Sequence, residues 1–137
     1  MLTFDSPKDF MTEVAKSCDI CLKPWHHFVF DISAPIDSNL SSSSQIIDLT
    51  LRVECRSQDG QRFPENDLEI EIYRSGADLS ITLSWLSFPL KPILWYGKHS
   101  IWMDSLTGLR SQTPDGGSSL ESLARRLRSS FLYEEEN

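Results

Sequence analysis

Between residues 46 and 104 nearly every second position is apolar, and turn signals break the pattern at strand-like intervals. Ile47, Leu49, Leu51, Val53 and Cys55 alternate with Asp48, Thr50, Arg52 and Glu54. Leu68, Ile70 and Ile72 alternate with Glu69 and Glu71, and Leu79, Ile81, Leu83 and Trp85 with Ser80, Thr82 and Ser84. A period of two sends successive side chains to opposite faces, so these segments predict strands with one dry face and one wet face. The strands expected here cover 46–56, a run starting near 67, and 79–86. Gln58-Asp59-Gly60-Gln61 and Ser75-Gly76-Ala77-Asp78 supply the turns between them. Pro89 and Pro92 take the chain out of the sheet, after which 93–96 and 99–104 predict a last hairpin around Gly97-Lys98.

Before this stretch, the period changes. Phe10, Met11, Val14, Ala15, Cys18 and Leu22 recur at helical spacing. Ser6 is a suitable cap, Pro7 suits the first helical position, and Pro24 ends the segment, so a helix is expected from about 7 to about 22. Phe28, Phe30 and Ile32 alternate with Val29 and Asp31, which predicts a strand at 25–33 buried largely on both faces near its centre. At the other end, Leu120, Leu123, Ala124, Leu127 and Phe131 trace a second helical stripe, with Ser118-Ser119-Leu120-Glu121 read as its capping box. A mobile serine-rich loop is expected at about 34–45 and a frayed acidic tail at about 133–137.

The order helix, strands, helix predicts one α+β domain over 1–137. Its two layers would be a curved antiparallel sheet of about five to six strands and the flanking N-terminal and C-terminal helices. The sheet could wrap one helix in the cystatin-like manner or form a half-open barrel. Composition narrows the function classes. With 13 Lys and Arg against 20 Asp and Glu, the net charge of −7 disfavours binding to a phosphate backbone. No run approaches the ~18 apolar residues of a membrane span, and no secretory signal opens the chain. The three cysteines are expected as reduced thiols, and the location as cytoplasmic.

Candidate chemistry is sparse. Cys18 and Cys21, at C-x-x-C spacing, precede His26 and His27, and Cys18, Cys21 and His26 are the residues that could ligate a single zinc. The string Cys18-Asp19-Ile20-Cys21-Leu22 resembles the first knuckle of a RING-type finger, but a RING needs more ligands than three cysteines and three histidines supply. The simpler reading makes the cysteines small hydrophobes on the helix, with no cofactor. Glu69 and Glu71 share a strand face roughly 7 Å apart and read as a solvated face rather than paired catalytic acids. The loop before the second helix is a candidate anion site through Arg110, Gly116, Gly117 and Ser118, because free amides there attract negative charge.

The aromatic group Trp85, Phe88, Trp95, Tyr96 and Trp102 changes the picture most. Neighbouring residues of the last hairpin face opposite ways, so both of its faces are apolar. One face can pack on the helices, and the other asks for a loop, a ligand or another chain. The leading expectation is a non-enzymatic interaction or assembly factor that binds another protein, or a second copy of itself, through these aromatics. The alternative is a small-ligand-binding domain, with or without weak catalysis, whose pocket lies between sheet and helix.

Overall fold

The alternating segments pair in chain order. In the computed structural model, residues 7–33 and 46–133 are described; the cap at Ser6, the serine loop and the acidic tail beyond Tyr133 lie outside them. Helix α1 (Pro7–Cys21) leads into β1 (His26–Asp31), β2 (Ile46–Arg56), β3 (Leu68–Ser75), β4 (Asp78–Trp85), β5 (Ile93–Tyr96), β6 (Ser100–Met103) and β7 (Arg110–Ser111), and α2 (Gly117–Tyr133) follows. The seven strands form one open antiparallel sheet, each bonded to its sequence neighbour. This is the two-layer α+β arrangement that the periodicity predicts. The seventh strand is an addition, two residues taken from a stretch that reads as loop.

Register decides which face is dry. Cys55, Val53 and Leu51 of β2, Leu68, Ile70 and Ile72 of β3, and Leu79, Ile81 and Leu83 of β4 all point inward. Phe10, Val14 and Cys18 of α1 join them in one core, together with Leu120, Leu123, Ala124, Leu127 and Phe131 of α2. Both helices therefore lie on the same side of the sheet. The Phe10 and Phe131 rings stack at 5.2 Å and tie the helices together. Each fully buried Leu or Ile in this layer contributes about 1.5–3 kcal/mol by leaving water.

β1 departs from expectation. It is an edge strand, and only His27 and Val29 turn toward the helices. Phe28 and Phe30 stand on the uncovered face, 53% and 46% exposed, because no second layer lies over it. The Arg56 guanidinium sits 5.1 Å from the Phe28 ring centre and shields part of it.

One polar group is built into the dry side of the β2–β3 connection. The Asp67 side chain is 3% exposed. Its Oδ1 accepts the Cys55 amide at 2.8 Å and Nη1 of Arg62 at 2.9 Å, and its Oδ2 accepts Nη2 of Arg62 at 2.7 Å. Burial pushes this carboxyl up, but the Arg62 guanidinium and the Cys55 amide together outweigh it and hold the group below the usual carboxylate range.

Candidate functional site

The five aromatics do not form one surface. Leu94 pairs with Trp102 in the β5–β6 register, and both point toward α2. Trp102 is 3% exposed, and its indole Nε1 donates to Oε2 of Glu121 at 2.6 Å. Trp85 stacks on it, with ring centres 6.0 Å apart and planes 15° apart. Tyr96 is 8% exposed on the same side. The expectation of Trp102 as an exposed anchor is corrected by this register: it is a core residue, and Tyr96 and most of Trp85 belong with it. Trp95 and Phe88 remain exposed.

Trp95 faces the uncovered side of the sheet. Its neighbours across the strands are Thr82 and Ile101. The ring lies over Gly97, where a Cβ would come within 2.6 Å of its Cη2 atom, so the glycine is what lets it lie flat. Between the β3–β4 and β5–β6 turns this produces a groove of ≈ 440 Å³, walled by Tyr73, Ser80, Trp95 and Ile101 and reaching Arg128 at its end. The guanidinium of Arg128 donates to the Leu79 carbonyl at 2.8 Å and fastens α2 to β4 there. His99, also at this rim, is exposed.

Acidic groups adjoin the groove. Asp48 pairs with Tyr73 and Glu71 with Thr82, so Asp48, Glu69 and Glu71 crowd the middle of the open face. Partial burial, then the charges of Glu69 and Asp48, push the Glu71 carboxyl up. Farther along β2 the charges balance instead. Glu54 lies 3.7 Å from each of Arg52 and Arg56 and 3.9 Å from Arg62. The open face is thus acidic beside its groove and neutral toward Phe28 and Phe30.

The zinc candidates are not gathered. Cys18 is sealed in the core, where burial drives its thiol far up. His26 points to the open face while its neighbour His27 turns inward, as strand alternation requires. Among the described residues no group of three His, Cys, Asp or Glu side chains could hold a metal ion. What His27 finds inside is Asp19: Nδ1 lies 2.9 Å from Oδ1, and the imidazole side chain is 1% exposed. Burial lowers the affinity of this imidazole for a proton, although Asp19 acts the other way.

The anion candidates separate as well. Arg110 is exposed on β7, paired with Met103. Gly117 is buried, with a hypothetical Cβ 2.8 Å from Trp102 Cζ2, and Ser118 lies in the first turn of α2. Gly116, at φ +81°, borders a cavity of ≈ 320 Å³ between the end of α1, the sheet and the start of α2. The predicted capping box does not form. α2 begins at Gly117, and the acid meant to reach back, Glu121, instead accepts from Trp102 and from Thr113 Oγ1. His27 and Lys91, which share the cavity with Gly116, were invisible as a group: only the approach of α1, β5 and α2 unites them.

No helix among the described residues is long and apolar enough to cross a membrane. No curated protein and no solved structure matches the chain. A family model matches residues 11–130, which takes in the whole sheet and nearly all of both helices, and the chain accordingly belongs to the family described as domain of unknown function DUF8659.

Proposed function

We propose that this protein is a non-enzymatic binding module of the cytoplasm that engages another protein through the uncovered face of its sheet. The observation that carries the reading is the groove of Tyr73, Trp95 and Ile101 on a face that neither helix covers. Tyr and Trp are favoured as anchors because a large rigid ring is buried at little cost in side-chain freedom. Asp48, Glu69 and Glu71 beside the groove favour a partner segment that presents a basic residue next to apolar ones. The same charges oppose self-association through this face, and the net charge of −7 opposes nucleic acid and anionic membrane as partners.

The test is site-specific photocrosslinking in cells, with the probe at Trp95 or at exposed Arg125 on α2. The reading expects a discrete adduct from position 95 that disappears when Tyr73→Ser is added, and none from position 125. Equal adducts from both positions, or an adduct indifferent to Tyr73→Ser, would reject it. An adduct at twice the chain mass would replace the foreign partner with a homodimer.

A further inference from the structure

The groove leaves the cavity at the start of α2 unexplained. Two independent features meet there. The first is an uncapped helix. The amides of Ser118 and Ser119 have no carbonyl a turn behind them within the helix, and Glu121, the natural capping acid, is committed to Trp102 and Thr113. Gly117 donates to the Pro114 carbonyl, so the orphan donors are those two. Gly116 and Ser119 border the cavity, and the Lys91 ammonium, held 4.5 Å from the Trp85 ring centre, lies at the same wall. An N-terminal turn with free amides and a lysine beside it is a setting for a negative group.

The second feature is His27. The ring borders the same cavity and its side chain is 1% exposed. Nδ1 is engaged by Asp19, which leaves Nε2, on the far side of the ring, without a hydrogen-bond partner among the described residues. With Nδ1–H donated to the carboxylate, Nε2 carries a lone pair. A buried acceptor left in this state is costly unless a ligand or water donates to it. Cys21 also borders the cavity, but burial pushes its thiol up, so it offers no thiolate nucleophile. Binding, rather than covalent chemistry, is what these groups are equipped for.

We propose that this cavity binds a small phosphate ester bearing a hydroxyl group. Its phosphate rests on the amides of Ser118 and Ser119 and on Lys91, and its hydroxyl donates to Nε2 of His27. The volume suits a small molecule rather than a polymer. Asp115, exposed at the mouth, opposes additional negative charge and so favours a single phosphate over a chain of them. The site is separate from the Tyr73–Trp95 groove, and either can fail without the other.

The experiment is an amide and imidazole NMR titration of the whole chain, with inorganic phosphate and glycerol 3-phosphate as probes and sodium chloride at matched ionic strength as control. The proposal expects saturable shifts at Ser118, Ser119 and His27, with glycerol 3-phosphate binding about threefold or more tighter than inorganic phosphate. Lys91→Met should weaken both probes about tenfold, and Asp115→Asn should tighten both. His27→Gln should abolish the preference for the hydroxylated probe. Absence of saturable shifts at Ser118 and Ser119 up to about 50 mM overturns the proposal. So do equal shifts from sodium chloride, or unchanged affinity in Lys91→Met. Because Lys91 lies outside the core, its variant remains decisive even if His27→Gln fails to fold.

Discussion

Replacing Asp67 by Ala removes a carboxylate that accepts three hydrogen bonds at the edge of the core. The Cys55 amide is then left buried without its acceptor, which costs about 1–3 kcal/mol. The two bonds from Arg62 are charge-assisted, but that side chain is 30% exposed, and solvent screening limits their loss to about 1 kcal/mol. The sum, about 2–4 kcal/mol, is a large part of the stability of a domain this size. In urea titrations followed by tryptophan fluorescence, the midpoint should fall by about 1–2 M at unchanged slope. Asp67→Asn keeps an oxygen for the Cys55 amide and should cost about half as much. The pH dependence has a definite sign. The folded state holds this carboxyl below its unfolded value, so its contribution is complete above the unfolded pKa and is lost as pH falls through the folded one. The gap between wild type and Asp67→Asn should therefore shrink in acid. A cost under about 1 kcal/mol for Asp67→Ala would refute the accounting, as would a gap that stays constant down to acid unfolding.

Gly117→Ala places a methyl group 2.7 Å from Thr113 Cγ2 and 2.8 Å from Trp102 Cζ2, so it should destabilise by about 1–3 kcal/mol and alter the near-ultraviolet dichroism of the tryptophans. A gain in stability, as a helix-favouring alanine would give at an open position, would show that the contact relaxes freely. The thiols should react with a neutral disulfide reagent in the order of their access: half-buried Cys21 first, and Cys18 and Cys55 only at the rate of unfolding. Burial raises all three, so each reaction should accelerate with pH well into the alkaline range, and fast labelling of Cys18 in the native state would contradict its place in the core.

Most of the sheet was legible because β2, β3 and β4 each bury one face, and a period of two survives any choice of neighbours. β7 was not, since two residues carry no period. The phenylalanines of β1 misled for a related reason: apolar residues on alternate positions look buried whether or not a second layer exists, and sequence does not state how many layers there are. The aromatic hairpin was read correctly as two-faced, but which ring is inside follows from the Leu94–Trp102 pairing and the landing of α2. Glu121 shows a local rule overridden by a distant partner: an indole N–H buried nineteen residues upstream wins the carboxylate that the helix start would have used. Asp19 and His27, eight residues apart, meet only because the chain reverses between α1 and β1.

The strand order also sets how the chain can assemble. Each strand bonds to the one next to it in sequence, so no pairing waits for a remote segment, and the entropy of closing each connection is modest. Hairpins can form independently and zip together from any point. The helices are different: the Phe10–Phe131 stack closes a loop that contains the entire sheet. Topology therefore separates early from late, with strand pairing as a series of local steps and the joining of the two helices as the one event that must span the whole chain.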